Sequence, residues 1–181
     1  MVCGTGEQRP CSVMAIMKGT YTRKAQGAKA SIRYIEHRPG KDGAKTTRVL
    51  YGIDGAMGRW LAYRMIDEAD NGSYFYRLVL SPDPEREDTQ KDLFLREITE
   101  KTMMSLEERL HARVAWVATE HNDHAPHRHV HIVAIVPKKL NVQDFQTLRH
   151  AETAACLAQR QERDLMREQR REQGEGLEWK R

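Results

Sequence analysis

The sequence predicts an α+β fold, a two-layer sandwich in which helices cover a central antiparallel sheet. Strand-like and helix-like segments alternate along the 181 residues. Late in the chain, two strand-like segments, RVAWVATEH and HVHIVAIVPK, follow each other across a short polar connection. The second is apolar on both faces, which is typical of a strand in the middle of its sheet. Two such neighbours form an antiparallel pair, and the flanking helices must cover it.

The first helix is predicted by a stripe of small and aliphatic residues at helical spacing. These residues are Ala25, Ala28, Ile32 and Ile35. An apolar strand at Ser12–Lys18 precedes the helix, and the HRPGKDG run at 37–43 ends it, because Pro and Gly interrupt helical backbone. A second strand is predicted at Arg48–Ile53 and a short helix at Gly58–Ala69. The inward-facing residues expected in that helix are Trp60, Leu61 and Met65.

The second half of the chain predicts three strands and two longer helices. Residues 74–80 alternate as a strand does before Ser-Pro-Asp-Pro ends the pattern, and Thr89–Leu110 has the four-residue repeat of an amphipathic helix. The last helix is expected at 144–173, with Leu148 and Cys156 inward and mixed charge beyond Leu157. Residues 1–143 are therefore interpreted as the core, and residues 144–181 as a charged helical extension of the same domain.

Composition narrows the class of protein. With 39% apolar and 31% charged residues, the chain suits one soluble domain, and no apolar run reaches the roughly 20 residues that span a bilayer. Neither a secretory signal nor a closed set of disulfides is indicated, so the cytoplasm is the expected location and no membrane partner is expected. Residues 1–50 hold ten Lys/Arg against three Asp/Glu, which indicates a polyanionic partner.

Histidines are concentrated in one short segment. Five of the eight fall within eleven residues: His121, His124, His127, His129 and His131. In a strand, the side chains of His127, His129 and His131 share one face, and antiparallel pairing brings His121 opposite His129 or His131. A surface histidine tract suits His124, but imidazoles at the start of the most apolar strand would be desolvated without a partner. The cluster therefore predicts a divalent-metal site with open coordination positions, where Asp123 could orient a ligand imidazole.

Tyr34 differs from the other tyrosines because it lies off the buried stripe of its helix. Arg38, four residues later, shares its helical face. A phenol is a weak nucleophile until a cation or a base stabilises the phenolate, and nearby basic residues and a metal would do so. On spacing alone, a half-exposed amphipathic tyrosine is an equally good interpretation.

Three motifs together resemble the relaxase domain of plasmid and integrative-element mobilisation proteins. They are ASIRYIEHRPGK around Tyr34, YRLVLSP in the middle of the chain, and EHNDHAPHRHVHIVAIV from Glu120 onward. The resemblance covers roughly residues 12–140, in the family's order, and is closest to the MobA/VirD-type branch of the HUH endonuclease superfamily. It implies the sheet of that superfamily, a ferredoxin-like palm.

The resemblance also implies an activity, a metal-dependent transfer of single-stranded DNA. A tyrosine attacks one phosphodiester at an origin of transfer, which leaves a 5′-phosphotyrosine and a free 3′-OH. The family's nucleophile maps onto Tyr34, and its metal histidines onto His121, His129 and His131. Because Pro-His-x-His also fits the sequence, His127 is an alternative ligand beside His129. The expected cofactor is Mg²⁺ or Mn²⁺, although imidazoles alone favour Mn²⁺, Co²⁺, Ni²⁺ or Zn²⁺.

The basic first third of the chain is expected to contact DNA phosphates. The residues predicted to do so are Arg23, Lys24, Lys29, Arg33, Arg38 and Lys41. Accessory relaxosome or coupling proteins are expected as further partners. Two other functions remain open: a rolling-circle replication initiator or transposase of the HUH class, and a non-catalytic nucleic-acid-binding module. Initiators and small transposases usually place the tyrosine after the histidines, so the order found here favours the relaxase.

Overall fold

The structure, a computed structural model, describes residues 15–40, 43–44, 46–122 and 127–178, with side chains of the last helix to residue 172. Six strands and four helices lie within these ranges. The strands are β1 (Ile16–Thr22), β2 (Leu50–Gly52), β3 (Gly55–Met57), β4 (Tyr74–Ser81), β5 (Ala115–His121) and β6 (His129–Val136). The helices are α1 (Ala25–His37), α2 (Arg59–Asp67), α3 (Leu95–Leu110) and α4 (Val142–Glu178).

All the strands form one antiparallel sheet in the order β1-β4-β6-β5-β2-β3. As its apolar pattern predicted, β6 is central, between β4 and β5. The β5–β6 register pairs His121 with His129 and Thr119 with His131. The end of β5 and the beginning of β6 therefore meet at the same place in the sheet.

Helices cover both faces of this sheet, because alternate residues of its central strands are apolar on each side. On one face, Ile32 and Ile35 of α1 pack with Ile66 of α2 and with Val133 of β6. On the other face, a larger core joins α3 and α4 to the strands; it includes Leu78, Leu80, Ile98, Leu106, Ile132 and Leu148. The α+β class and the helix-covered antiparallel sheet are confirmed, and the sheet is the middle of three layers where two were expected.

The first helix agrees closely with its prediction. Ala28, Ile32 and Ile35 are buried and Ala25 is half-buried, while the helix ends at His37, at the start of the Pro/Gly turn. The strand before it differs in extent. Only Ala15 to Lys18 of the predicted segment is described, and β1 continues to Thr22 because β4 pairs with it from Ile16 to Thr22.

The prediction for α2 was right about the helix and wrong about its buried face. Trp60 is 83% exposed and Leu61 is also exposed, Met65 is half-buried, and Ala62 and Ile66 are the residues that face inward. α2 packs on α1, where the small side chain of Ala62 permits close approach, and Trp60 instead rests edge-on against Tyr63. The sequence also missed β3, which pairs with β2 across a two-residue turn.

The third helix begins six residues later than expected. Asp83 accepts hydrogen bonds from the backbone N–H groups of Glu85 and Arg86, at 2.8 and 3.0 Å. Asp88 then forms a double hydrogen bond with Arg128, which immediately precedes β6. These contacts hold the segment from 83 to 93 as turns, so helical backbone starts only at Leu95.

The last helix begins at Val142, and its first half is part of the packed structure. Leu148, Ala155 and Cys156 are buried, Ala151 is half-buried, and the described residues beyond Arg163 are exposed, as the mixed-charge sequence predicted. In the described part of the chain, no helix combines the length and the apolarity that a membrane span requires.

Candidate metal centre

Three imidazoles meet where β5 ends and β6 begins. The ring centroids of His121 and His131 are 4.5 Å apart, those of His129 and His131 are 5.1 Å apart, and those of His121 and His129 are 5.4 Å apart. One ring nitrogen from each lies within 4.8 Å of the other two. All three side chains are buried. The register that sets His121 opposite His129 thus produces the facial array that the sequence predicted.

His121 is oriented by the first helix. Its Nε2 lies 2.9 Å from the backbone oxygen of Ile35. A carbonyl can only accept, so Nε2 carries the proton and donates this bond. In that tautomer Nδ1 holds the lone pair, which is the arrangement in which a histidine binds a metal while its other nitrogen is fixed by a hydrogen bond.

His131 lies in the least favourable surroundings for a charged imidazole. Burial lowers its pKa to about 3, and the neighbouring rings of His121 and His129 and the guanidinium groups of Arg38 and Arg77 act in the same direction. His131 is therefore neutral at physiological pH. Neither of its ring nitrogens has a hydrogen-bond partner among the described residues, an arrangement that costs free energy unless something else binds there. In the neutral ring, one nitrogen carries no proton and has a free lone pair, to which a cation would bind.

His127, the alternative ligand, lies at the rim of the cluster. It lines the same cavity as His129 and His131 but is not one of the three residues whose nitrogens approach within 4.8 Å of one another. His127 is half-buried. The structure therefore brings together the set His121, His129 and His131, and leaves His127 beside its opening.

The donor set fits a divalent transition metal. Three neutral imidazoles suit Mn²⁺, Co²⁺, Ni²⁺ or Zn²⁺ better than Mg²⁺, which prefers oxygen ligands. The cluster within the described residues contains no carboxylate. Three protein ligands leave further coordination positions for a substrate oxygen or water, which is typical of catalytic and not of structural metal sites.

The cavity beside the cluster has a volume of about 340 Å³ and a cationic lining. Its other lining residues are Ile16, Lys18, Arg38, Val79 and Ser81. Lys18 enters from β1, and Arg38 follows the end of α1. The cavity thus combines a possible metal position with fixed positive charge, a combination that suits an anionic group such as a phosphate.

Tyr34 lies next to this site on the exposed side of α1. Its side chain is 44% exposed, and its ring is approached by the guanidinium carbons of Arg38 at 5.7 Å and Arg77 at 6.0 Å. These are the two arginines that act on the pKa of His131. The residue after Tyr34 is Ile35, whose carbonyl holds His121. One helix therefore links the tyrosine to the histidine cluster.

The other tyrosines differ from Tyr34 in their burial or in their position in the fold. Tyr51 and Tyr76 are buried, and burial raises the pKa of both phenols. Tyr21 and Tyr74 pack against each other, and Tyr21 also packs against Tyr76, on the face of the sheet that α3 and α4 cover. Tyr63 belongs to α2, where Trp60 packs against it.

The basic residues predicted to contact DNA are distributed along the whole of α1. Arg38 lines the histidine cavity and Arg33 is exposed. Arg23 and Lys24 precede the other end of the helix, whose thirteen residues span about 20 Å. Lys29 forms an ion pair with Asp67 at 2.6 Å. Lys41 and Asp123 fall outside the described residues.

Sequence reasoning missed two cationic residues of the site, Lys18 and Arg77. Arg77 is the one charged residue within β4, on the strand face that also carries Phe75 and Val79. A lone charge on an otherwise apolar strand face was the available signal. Lys18 gave no such signal, because its place beside His131 depends on the pairing of β1 with β4.

Comparisons of the chain with protein-family models, with curated proteins and with solved structures find no significant match.

Proposed function

We propose that this protein is a metal-dependent, site-specific single-strand DNA endonuclease and strand transferase of the relaxase type. Its substrate is an origin of transfer, and its intermediate is a 5′-phosphotyrosine on Tyr34. One observation carries the proposal: three buried imidazoles with mutually close nitrogens lie beside two arginines that also contact an exposed tyrosine. The motif order in the sequence, with the tyrosine before the histidines, agrees with it.

Two arginines supply the positive charge that a tyrosine nucleophile needs. Arg38 and Arg77 lie over the ring of Tyr34, so they stabilise negative charge that develops on the phenol oxygen and attract a phosphate to it. Lys18 adds a third positive charge in the adjoining cavity. A divalent cation bound by His121, His129 and His131 would supply further charge to the non-bridging oxygens of the phosphate.

The reaction exchanges one ester for another. The phenol oxygen of Tyr34 forms a bond to phosphorus as the bond from phosphorus to the 3′ oxygen breaks. The phenolic proton leaves, and the departing 3′ oxygen gains a proton to become a hydroxyl. One phosphodiester is exchanged for another, in which tyrosine replaces the 3′ hydroxyl, so the number of phosphoester bonds is conserved and the strand can be rejoined later without ATP.

The proposal is tested by trapping the covalent adduct. The full chain is incubated with Mn²⁺, or with Mg²⁺ in parallel, and with single-stranded oligonucleotides from the DNA around its own coding sequence. A DNA-linked species on a denaturing gel, mapped to Tyr34 by mass spectrometry, is the expected result. Tyr34→Phe should lose the adduct completely, because only the attacking hydroxyl is removed.

The matched control is Tyr63→Phe, which removes a tyrosine hydroxyl from the neighbouring helix α2 and should retain the adduct. Attachment at another tyrosine would contradict the assignment of Tyr34. Binding of DNA without any adduct, under all metal conditions, would instead support a non-catalytic nucleic-acid-binding module.

A further inference from the structure

A second and larger cavity lies at the opposite side of the edge strand β1. It has a volume of about 780 Å³ and is bounded by β1, by the segment after β6 and by the start of α4. Lys18, Lys139 and Arg149 line it, and none of its lining residues is acidic. We call it the β1 groove. Its size is within the range of ligand-binding pockets, and its charge suits a polyanion.

Aromatic rings lie in and beside the β1 groove. Phe145 of α4 is half-buried in its wall. A Cβ added at Gly19 of β1 would lie 2.6 Å from Cδ2 of Leu78 and 3.0 Å from the ring of Phe145, so glycine allows both side chains to pack against the strand. Tyr21, two residues further along, is 44% exposed, and the Nζ of Lys139 lies 5.5 Å from the centre of its ring.

Lys18 connects the β1 groove with the metal centre, because it lines both cavities. Successive residues of β1 face opposite sides of the sheet, as in any strand, so the side chain of Lys18 is on the face of Ile16 and its backbone borders the groove. Ile16 contributes to the histidine cavity, and Met17 and Gly19 contribute to the β1 groove. A chain that crosses the edge strand at Lys18 can therefore occupy both cavities at once.

We infer that the β1 groove binds single-stranded DNA that flanks the segment held at the histidine cluster. Lys139 and Arg149 contact phosphates in the groove, Lys18 contacts the strand where it crosses towards the histidine cavity, and unpaired bases stack on Tyr21 and Phe145. Stacking of this kind requires a single strand, because a duplex keeps its bases stacked on one another. The choice of DNA as the polymer rests on the proposed function; the groove's charge and aromatic surface are independent of it.

The test measures the affinity of the full chain for a fluorescein-labelled oligothymidylate of roughly 16 nucleotides, by fluorescence anisotropy across a range of salt concentrations. EDTA is present, so neither metal nor covalent chemistry contributes. In the double variant Lys139→Gln/Arg149→Gln, affinity should fall and the log–log salt slope should become shallower by about 1.4, for two contacts at about 0.7 each. Lys139 is exposed and Arg149 is half-buried, and far-UV circular dichroism checks that the variant folds.

Two further variants separate charge from stacking. Lys138→Gln removes an exposed lysine that is adjacent in sequence but does not line the groove, and it should bind as the wild type does. Tyr21→Leu should lower affinity about five-fold or more and leave the salt slope unchanged, because it removes a ring and no charge.

An unchanged affinity and salt slope in Lys139→Gln/Arg149→Gln would overturn the inference, as would tighter binding of a duplex or of the matching RNA. The outcome is separable from that of the proposed function. An adduct at Tyr34 with unaffected groove variants would contradict only the DNA-binding role of the β1 groove. Absence of any adduct, with binding that depends on Lys139 and Arg149, would support DNA binding by the groove and contradict the nuclease activity.

Discussion

The two faces of the sheet use the same strands for different purposes. On the face covered by α3 and α4, the residues Val130 and Ile132 of β6 are fully buried in a large apolar core. On the face covered by α1 and α2, the alternating residues His129 and His131 are also buried but bring imidazoles together. The change from core to site occurs from one residue to the next along a single strand.

This difference shows how a rigid site can be built into a small protein. The core under α3 and α4 fixes the backbone of β5 and β6. The imidazoles on the other face are therefore positioned by strands whose opposite face is tightly packed. The shorter helix α1 completes the arrangement through the bond from His121 to the Ile35 carbonyl. Packing on one face therefore positions polar groups on the other.

The largest expected effect comes from adjacent substitutions in β6. Ile132→Ala should lower the free energy of unfolding by about 2–5 kcal/mol, because it leaves a cavity in the larger core. His131→Ala should change it by no more than about 1 kcal/mol, because a buried imidazole without a hydrogen bond contributes little net stability. Urea unfolding in the presence of EDTA measures both. Equal losses in the two variants would mean that His131 is a packing residue and that the faces do not differ.

A second expectation is that the two faces respond to pH in opposite directions. On the α3/α4 face, burial raises the pKa of Glu152 well above its usual range, and the charge of Glu87 adds to the effect. Above the usual glutamate pKa the folded protein retains a proton that the unfolded chain releases, so stability falls as pH rises through the raised pKa. On the α1/α2 face, burial lowers the pKa of His131 to about 3. There the unfolded chain gains the proton first, so stability falls as pH decreases below about 6.5.

Each of these pH effects has a slope of up to about 1.4 kcal/mol per pH unit. Glu152→Gln should flatten the loss of stability as pH rises above the usual glutamate pKa, and His131→Gln should flatten the loss as pH falls below about 6.5. Urea unfolding of metal-free protein at several pH values distinguishes them. If Glu152→Gln removed a gain of stability with rising pH instead of a loss, the sign assigned to that carboxyl would be incorrect.

The smallest expected effect concerns Lys29 of α1 and Arg38, which directly follows that helix. Arg38→Ala should make the salt slope of single-strand binding shallower by about 0.7, the value for one phosphate contact, because Arg38 lines the histidine cavity. Lys29→Ala should change the slope little, because Lys29 is paired with Asp67 on α2. Anisotropy titrations with the same oligonucleotide compare them. A larger change in Lys29→Ala would place the DNA path along α2.

Periodicity in the sequence was sufficient for much of this architecture. The stripe through Ile32 and Ile35 predicted α1, and the apolar residues on both faces of β6 predicted its central position. Antiparallel pairing of the two late strands brought His121 opposite His129, as the structure has it. In each case the contacts lie within one element or between elements that are adjacent in sequence. The spacing of residues is therefore enough to predict them.

The features that were missed depend on contacts between distant segments. Trp60 has the hydrophobicity of a core residue, but α2 packs the face of Ala62 against α1, because the two helices approach closely there. The late start of α3 follows from the pairing of Asp88 with Arg128, 40 residues away. The positions of Arg77 and Lys18 beside the cluster depend on strand order. None of these has a local periodic signal.

Anomalous diffraction from crystals grown with Mn²⁺ shows whether His121, His129 and His131 hold a divalent cation. One anomalous peak per chain is expected, about 2.1 Å from one ring nitrogen of each of these residues, and no peak in crystals of His131→Ala. A peak bound by His127 and His129 that persists in His131→Ala, or no peak in the wild type at saturating Mn²⁺, would contradict it.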